Sequence, residues 1–192
     1  MDQRVTVLAF CGVLTSCTVY VLSAFLAPAF RRICLPFVPA TPHQIETVSR
    51  ILAGAQTKYQ LQTLGSVIDL GSGDGRVLLT LLKHPELKIN DGHGVELNRP
   101  LVWYSKWRSF RSLGQSHKNI TFACQDMWKT DLSKFNTVIV FGVDSMMDKL
   151  ERKLKEEVKV GSFVVTCRFP LPTTLPEETV NTGPDSVYFY HF

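Results

Sequence analysis

The stretch VIDLGSGDG, residues 67–75, and its continuation RVLLTLL decide the fold of this 192-residue chain. Strand-forming residues lead into three glycines at every second position, Gly71, Gly73 and Gly75, and an apolar run follows. A strand that passes through a glycine-rich turn into a helix is typical of parallel α/β sheets, which bind ligands outside the carboxyl ends of their strands. The loop therefore predicts a ligand site at residues 69–75.

Strand and helix patterns alternate regularly around this loop. Strands are predicted at 67–70, 93–97, 120–124, 137–141 and 162–167, and helices at 76–83, 100–113 and 145–158. An earlier helix begins after Thr41, with Pro42 in its first turn, and is expected to stop at Gly54. This order predicts an α/β fold with a Rossmann-like, doubly wound, mostly parallel sheet that is covered on both faces.

The spacing of the loop separates three classes of ligand. A triphosphate loop needs Lys and Ser or Thr after its last glycine, whereas Arg76 and Val77 follow Gly75 here. In the dinucleotide motif the third glycine comes one residue later, and the carboxylates of Asp69 and Asp74 would repel a pyrophosphate. They suit a cationic ligand, so the loop predicts S-adenosylmethionine, which carries a sulfonium and an ammonium group and no phosphate.

Two further acids lie at the carboxyl ends of the next two predicted strands. Glu96 ends the second strand, in the position from which an acid binds ribose hydroxyls in nucleotide-binding sheets. Asp126 follows the third strand and is placed to accept a hydrogen bond from the adenine amino group. Together with the loop these positions predict a cofactor site. Its residues are Asp69, Gly71, Gly73, Asp74, Gly75, Glu96, Asn98, Asp126, Met127 and Trp128.

Residues after the fourth and fifth strands are candidates for the substrate side of the site. Phe141 and Asp144 follow the fourth strand, and Arg168 follows the fifth. Each has a second interpretation: Phe141 as core, Asp144 as a helix N-cap, and Arg168 as the partner of a surface acid. The five cysteines are scattered without metal-ligand spacing, so no metal site is expected.

The first 32 residues differ in composition from the rest of the chain. Residues 5–27 contain no charged side chain, and about 20 apolar residues span a bilayer core. We expect a membrane helix in residues 1–32, followed by one catalytic domain in residues 33–192. An uncleaved targeting signal and a helix buried against a partner remain alternatives.

Residues 98–124 lack acidic side chains and combine basic with aromatic residues. Trp103, Trp107 and Phe110 fall on one helical stripe, which we expect to pack on the sheet while the arginines stay in solvent. A face for nucleic acid or anionic lipid is the alternative. The net charge of +4 is weak evidence for such a partner, and no nucleic acid is expected.

The chain resembles the mitochondrial protein-lysine methyltransferases that include the enzymes of the ATP synthase c subunit and of the adenine nucleotide translocase. The resemblance rests on VIDLGSGDGRVLL and on the more specific CLPFVPATPHQIE, VELNRPLVWYSKWR, DMWK, VIVFGV with Met146 and Met147, and CRFPLP. It leans toward the c-subunit enzyme. The chain departs from the family where Thr173 replaces an expected tryptophan and where ELNRP replaces ELNPW.

The resemblance implies a seven-strand, class I methyltransferase at a mitochondrial membrane, single-pass or membrane-associated. It would use S-adenosylmethionine to methylate a lysine of a membrane protein, with the c subunit of ATP synthase as the expected partner and lipid bound by the N-terminal segment. The alternatives are methylation of the translocase, of RNA or of a small molecule. A non-enzymatic relative would have lost the glycines or the strand-end acids, which this chain keeps.

Overall fold

A seven-stranded sheet forms the centre of the molecule. The computed structural model describes residues 3–26, 39–114, 119–180 and 183–192. The strands are β1 (Ser66–Leu70), β2 (Asp91–Glu96), β3 (Ile120–Cys124), β4 (Thr137–Phe141), β5 (Phe163–Cys167), β6 (Glu178–Val180) and β7 (Val187–His191). Their order is β3-β2-β1-β4-β5-β7-β6, and only the pairs with β7 are antiparallel. The predicted fold class, a Rossmann-like and mostly parallel sheet, is confirmed.

Helices cover both faces of the sheet. They are α2 (Pro42–Lys58), α3 (Arg76–Leu81), α4 (Arg99–Leu113) and α5 (Met147–Glu157), while a further helix, α1 (Gln3–Leu26), belongs to neither core. One core joins α2, α3 and α4 to side chains such as Val67 and Ile139, and a second joins α5 to Ile68 and Val138. Successive residues of a strand therefore enter opposite cores, as the period of two requires.

The start of α2 follows its sequence pattern, but its end does not. Thr41 forms a capping box with Gln44: the Thr41 hydroxyl accepts from the Gln44 backbone N–H (3.1 Å), and the Gln44 side chain accepts from the Thr41 backbone N–H (2.9 Å). The expected stop at Gly54 is wrong, because the helix runs on to Lys58. Ala55 beyond the glycine is buried in the core, and packing of this kind overrides the weak helix propensity of one glycine.

The end of the sheet depends on a buried carboxylate. Glu151 on α5 accepts hydrogen bonds from the backbone N–H groups of Thr173 and Thr174 and from both hydroxyls. Burial alone would raise its pKa, but these hydrogen bonds outweigh burial and lower the pKa to about 2. Glu151 thereby fixes the segment between β5 and β6, including Thr173, where the sequence departs from the family that it resembles.

The N-terminal segment is a 24-residue helix, α1, whose side chains at positions 7–23 are all exposed. Within the described residues, no helix meets the length and apolarity needed to cross a membrane. The structure thus does not support the expected membrane-spanning helix. The expected boundary between residues 32 and 33 lies outside the described residues.

Candidate active site

The glycine loop is held against the end of β2. The backbone N–H groups of Gly71 and Ser72 both donate to the carbonyl of Val95, at 2.9 and 3.0 Å. Gly71, Gly73 and Gly75 have φ values of 84°, 52° and 75°, which glycine adopts without a steric penalty. The alternation of glycines in the sequence therefore corresponds to alternating left-handed backbone positions.

The glycines differ in the space around them. A Cβ at Gly75 would lie 2.7 Å from the ring of Phe122, which is buried in the core. A Cβ at Gly71 would meet no atom of the described structure within 4 Å. Gly75 is thus required for packing, while the backbone at Gly71 is open to a ligand.

Asp69 is a buried carboxylate with an unused oxygen. Its side chain is 1% exposed, and its Oδ2 atom has no hydrogen-bond partner among the described residues. Burial, followed by the charges of Glu96 and Asp74, raises the pKa of Asp69 to about 8. A cation placed beside Asp69 would offset both the desolvation and the repulsion, so this position is suited to a positively charged ligand.

Glu96 connects the glycine loop to the next turn. Its Oε2 accepts from the backbone N–H of Gly73 (3.1 Å), and its Oε1 accepts from the backbone N–H of Asn98 (2.8 Å). Asn98 is buried and caps α4 through its side chain, which accepts from the backbone N–H of Leu101. Each Glu96 oxygen retains a lone pair, so the carboxylate is positioned by the backbone and still able to accept from a ligand.

Asp74 has cationic partners of its own. Its carboxylate accepts from Arg76 (2.8 Å) and from Arg108 of α4 (2.9 Å). Burial would raise the pKa of Asp74, but the hydrogen bonds and charges of Arg76 and Arg108 lower it. Because its charge is balanced within the protein, Asp74 stabilises the loop rather than offering a free carboxylate to a cationic ligand.

The third strand end carries Asp126, Met127 and Trp128. Asp126 Oδ1 accepts from the backbone N–H of Trp128 (3.0 Å) and caps a 3-10 helical turn, Met127–Lys129. Met127 is buried, whereas Trp128 is half-buried with the Lys149 ammonium 4.1 Å from its ring centre. The backbone N–H of Gln125 donates to the carbonyl of Glu96, so this turn and the Glu96 turn lie side by side.

Phe141 and Arg168 lie at the ends of the neighbouring strands β4 and β5. Phe141 is paired in register with Cys167, which precedes Arg168. Arg168 has a φ of 77°, and its buried Nε has no hydrogen-bond partner among the described residues. A non-glycine residue in this conformation at a strand end is typical of functional sites. Phe141 is half-buried against the core, so part of its ring belongs to the packing of the sheet.

Asp144 does not cap a helix. It begins a 3-10 helical turn, Asp144–Met146, whose N-cap is Val143, and α5 starts after that turn. Neither element has a side-chain cap hydrogen bond, so the N-cap interpretation of Asp144 is wrong. Asp144 is exposed near the end of β4.

Some residues of the site are not predicted by the sequence patterns. Ser72 has a buried hydroxyl without a partner in the described structure, and Ser105 of α4 donates to the carbonyl of Gly73 (3.0 Å). Arg108 reaches the loop from the same helix. Ser72 lies within the glycine motif and could have been found there. The contacts of Ser105 and Arg108 depend on the packing of α4, which no local pattern reveals.

A cavity of about 930 Å³ lies elsewhere, beside α2. His43, Arg50 and His84 are among the residues that line it. It contains none of the strand-end acids. The chemistry of the strand ends, rather than the size of this cavity, therefore defines the candidate active site.

Comparison with known proteins identifies the family. The family model of the ANTKMT methyltransferase domain matches residues 69–178. The lysine N-methyltransferase of the ATP synthase c subunit from Caenorhabditis elegans is 42% identical over 170 residues, covering 86% of this chain and 85% of that protein. This chain belongs to the ANTKMT methyltransferase family. The predicted family is thus confirmed.

A second relative and a solved structure extend the comparison. The Mus musculus c-subunit lysine N-methyltransferase is 40% identical over 174 residues, which are 90% of this chain and 65% of the mouse protein. The chain thus spans just under two thirds of the length of its mouse relative. An RNA methyltransferase from Salinibacter ruber, solved with S-adenosyl-L-homocysteine, has a TM-score of 0.68 at 23% identity, over 80% of this chain and 93% of that chain. At that identity it supports the fold alone.

The site of this ANTKMT family member fits S-adenosylmethionine. The unpartnered oxygen of Asp69 suits a cation, the backbone at Gly71 is open, and Glu96 stands oriented at the end of β2. Membership in a methyltransferase family confirms the predicted cofactor. The individual roles predicted for the site residues remain predictions.

Proposed function

We propose that this protein transfers methyl groups from S-adenosylmethionine to a lysine side chain of the ATP synthase c subunit. The proposal is supported by the similarity to named relatives together with the arrangement of acids at the strand ends. The chain is 40–42% identical to relatives named as lysine N-methyltransferases of that c subunit, and Asp69, Glu96 and Asp126 occupy successive strand ends around the glycine loop.

Asp69 and Glu96 would hold the methyl donor. S-adenosylmethionine supplies an electrophilic methyl group on a sulfonium, and the protein's task is mainly to position the donor and the acceptor in line. Asp69 offers a carboxylate to the cationic end, and Glu96 offers lone pairs to ribose hydroxyls. Asp126 lies at the next strand end along, in the position proposed for the adenine amino group, with Met127 and Trp128 beside it.

The acceptor lysine must lose its proton before it attacks. Its ordinary pKa is about 10.4, and an apolar or aromatic environment lowers that pKa because it disfavours the charged form. Phe141 and Trp128 would supply aromatic surface, and the guanidinium of Arg168 would disfavour a second cation nearby. Asp144 is the exposed carboxylate after β4, and we propose it as the group that accepts the proton.

The location belongs to the same proposal. We place the protein in mitochondria at a membrane, with residues 1–32 as the membrane-associated segment and residues 33–192 as the catalytic domain. Support comes from the names of the relatives and from the uninterrupted exposure of apolar side chains on α1. The proposal requires contact of α1 with lipid and does not require that α1 crosses the bilayer.

The adenine nucleotide translocase is a second candidate substrate. The family model carries the ANTKMT description, and the Mus musculus adenine nucleotide translocase lysine N-methyltransferase is 37% identical over 177 residues, 90% of this chain and 72% of that protein. Its identity is lower than that of the c-subunit relatives from mouse and Caenorhabditis elegans. The c subunit is therefore the first choice.

The test is transfer of a tritiated methyl group from S-adenosylmethionine into detergent-solubilised mitochondrial membranes. We expect the protein to label one small hydrophobic band, in which mass spectrometry locates a methylated lysine. Asp69→Asn is expected to abolish the label. The matched control, Asp131→Asn, changes an exposed carboxylate that contacts Ser133 and Lys134 and should leave labelling unchanged.

Two other outcomes would change the assignment. A labelled band of the translocase's size would move the substrate to the second candidate. Donor binding without any labelled protein would overturn protein methylation and favour RNA or a small molecule as the acceptor.

A further inference from the structure

The outer surface of α4 is aromatic and exposed, against expectation. Trp103, Trp107 and Phe110 are 59%, 52% and 66% exposed, so the expectation that this stripe packs on the sheet is wrong. The buried side of the helix is formed instead by Leu101, Val102, Ser105 and Ser109. The small serines let α4 approach the sheet and the glycine loop closely, which turns the large rings outward.

Cations accompany these rings. The guanidinium of Arg111 lies 5.1 Å from the ring centre of Trp107, and that of Arg108 lies 5.6 Å from the ring centre of Tyr104. Lys106 is exposed on the same helix, and residues 97–125 contain no acidic side chain. We call the exposed side chains Trp103, Tyr104, Lys106, Trp107, Phe110 and Arg111 the α4 face.

The α4 face continues into α1. The ring of Tyr20 stacks on that of Trp103, with 6.2 Å between ring centres. Large apolar side chains of α1, including Phe10 and Leu14, are exposed as well. The two helices thus present one surface on which aliphatic residues adjoin aromatic and basic ones.

We propose that the α4 face docks on an anionic lipid bilayer beside α1. The proposal rests on the membrane location in the proposed function. It adds which surface of the protein contacts the membrane and which lipid charge attracts that surface. Tryptophan and tyrosine prefer the interface between lipid tails and headgroups, and basic side chains near them attract anionic headgroups. A nucleic acid would also attract the cations, but it offers nothing to cover the aliphatic side chains of α1.

Docking in this orientation would bring the methyl-donor loop near the membrane surface. Arg108 extends from α4 to Asp74, where it donates to the carboxylate (2.9 Å) and to the backbone carbonyl (3.1 Å). Arg108 therefore connects the glycine loop to α4, the helix that carries the α4 face. A lysine of a membrane protein near the headgroups would then lie within reach of the strand ends.

The first test measures binding of the full chain to vesicles by co-sedimentation. Vesicles of phosphatidylcholine alone are compared with vesicles that contain about one third phosphatidylglycerol. We expect tighter binding to the anionic vesicles, and the double variant Lys106→Glu/Arg111→Glu should reduce that preference at least about tenfold. The matched double variant Arg152→Glu/Lys159→Glu reverses two exposed charges outside the α4 face and should keep the preference.

The second test measures whether the tryptophan rings of the α4 face enter the bilayer. Of the three tryptophans, Trp103 and Trp107 belong to the α4 face and Trp128 does not. Brominated lipids should quench the fluorescence of the wild-type chain, and Trp103→Phe/Trp107→Phe should leave an emission that these lipids do not quench. Retained binding of S-adenosylmethionine would show that each variant is folded.

Three results would overturn the docking proposal. They are an undiminished anionic preference in Lys106→Glu/Arg111→Glu, quenching that persists in Trp103→Phe/Trp107→Phe, and binding of an RNA oligonucleotide without binding of either vesicle. Vesicle binding needs no methyl acceptor. Failure of docking and failure of the proposed methyl transfer are therefore observed separately.

Discussion

The strand-end site and the α4 face are linked through Arg108, which extends from α4 to Asp74, and they differ in how their charges are placed. At the strand ends, Asp69 is buried with an unpartnered oxygen and is repelled by Glu96. On the α4 face, cations and aromatic rings are left in solvent. A buried carboxylate without a cation and an exposed apolar surface are both unfavourable in the free protein. Each would be relieved by the ligand proposed for it, a cationic group beside Asp69 and an anionic lipid interface on the α4 face.

The largest effect that separates the two regions is expected from Glu96→Ala. The substitution removes the carboxylate proposed for the ribose and releases the N–H groups of Gly73 and Asn98. Each hydrogen bond to a charged group contributes about 1.5–3 kcal/mol, so donor affinity should fall by roughly 10- to 100-fold or more. Isothermal calorimetry with S-adenosylmethionine measures this, and vesicle binding should not change.

Asp91→Asn provides the matched control for Glu96→Ala. Asp91 begins the same strand, at the opposite end, where it accepts from the Ser66 hydroxyl (2.8 Å). Donor affinity should stay within about twofold of the wild-type value. An equal loss in both variants would mean that β2 as a whole, rather than the Glu96 carboxylate, supports the site.

The first and last glycines of the loop should respond differently to alanine. Gly75→Ala places a Cβ against Phe122 at a positive φ, and strain plus overpacking should cost about 2–4 kcal/mol in the free energy of unfolding. Gly71→Ala meets open space and should cost about 1–2 kcal/mol from its backbone alone. Denaturant unfolding measures both values.

Binding of the methyl donor distinguishes Gly71 from Gly75 more clearly than stability does. Gly71→Ala should remain folded because the added Cβ meets open space. It should lose affinity for S-adenosylmethionine because the ligand is proposed to occupy that space. A folded Gly71→Ala protein with wild-type affinity would place the donor elsewhere.

The smallest expected effect concerns α2, which contributes to neither region. Thr41→Ala removes the capping box and a contact of the Thr41 hydroxyl with Asp185 (3.2 Å). Loss of an N-cap costs about 1 kcal/mol, which denaturant unfolding resolves. Thr57→Ala, which removes an exposed hydroxyl that donates to the Ala53 carbonyl in the preceding turn, is the control. Equal losses would mean that the cap contributes nothing specific.

The alternation of strands and helices through β5 and the place of the candidate site at the strand ends were predictable because their causes are local. The glycines, the acids at strand ends and the capping Thr41 each act within a few residues of their own position. The short exposed β6 has no apolar pattern, and its place beside β7 depends on contacts made elsewhere, such as those of Glu151. Local pattern therefore does not reveal it.

The α4 face shows where a correct pattern leads to a wrong conclusion. The spacing of Trp103, Trp107 and Phe110 identified one side of a helix correctly but not the direction in which that side points. Ser105 and Ser109 look like surface residues in the sequence, yet both are buried, and at Ser105 the glycine loop leaves room only for a small side chain. Periodicity defines a face, and the partner's shape decides whether that face is buried.

The central claim is that Asp69 binds the cationic end of the methyl donor. In the free protein its pKa is about 8, above the ordinary value of about 3.8. A raised pKa favours folding at low pH; this contribution is fully present below about pH 3.8 and is lost as the pH rises from there to about 8. The free Asp69→Asn protein should therefore be less sensitive to pH than the wild type over that range.

The most direct measurement is calorimetric titration of S-adenosylmethionine into wild type and Asp69→Asn at pH 6 and at pH 8.5. The donor's own amino group titrates equally in both experiments, so the ratio of the two dissociation constants isolates Asp69. Because only the ionised carboxylate attracts the cation, the account predicts a ratio that favours wild type and grows at least about tenfold from pH 6 to pH 8.5. Equal affinities, or a ratio that does not change with pH, would contradict it.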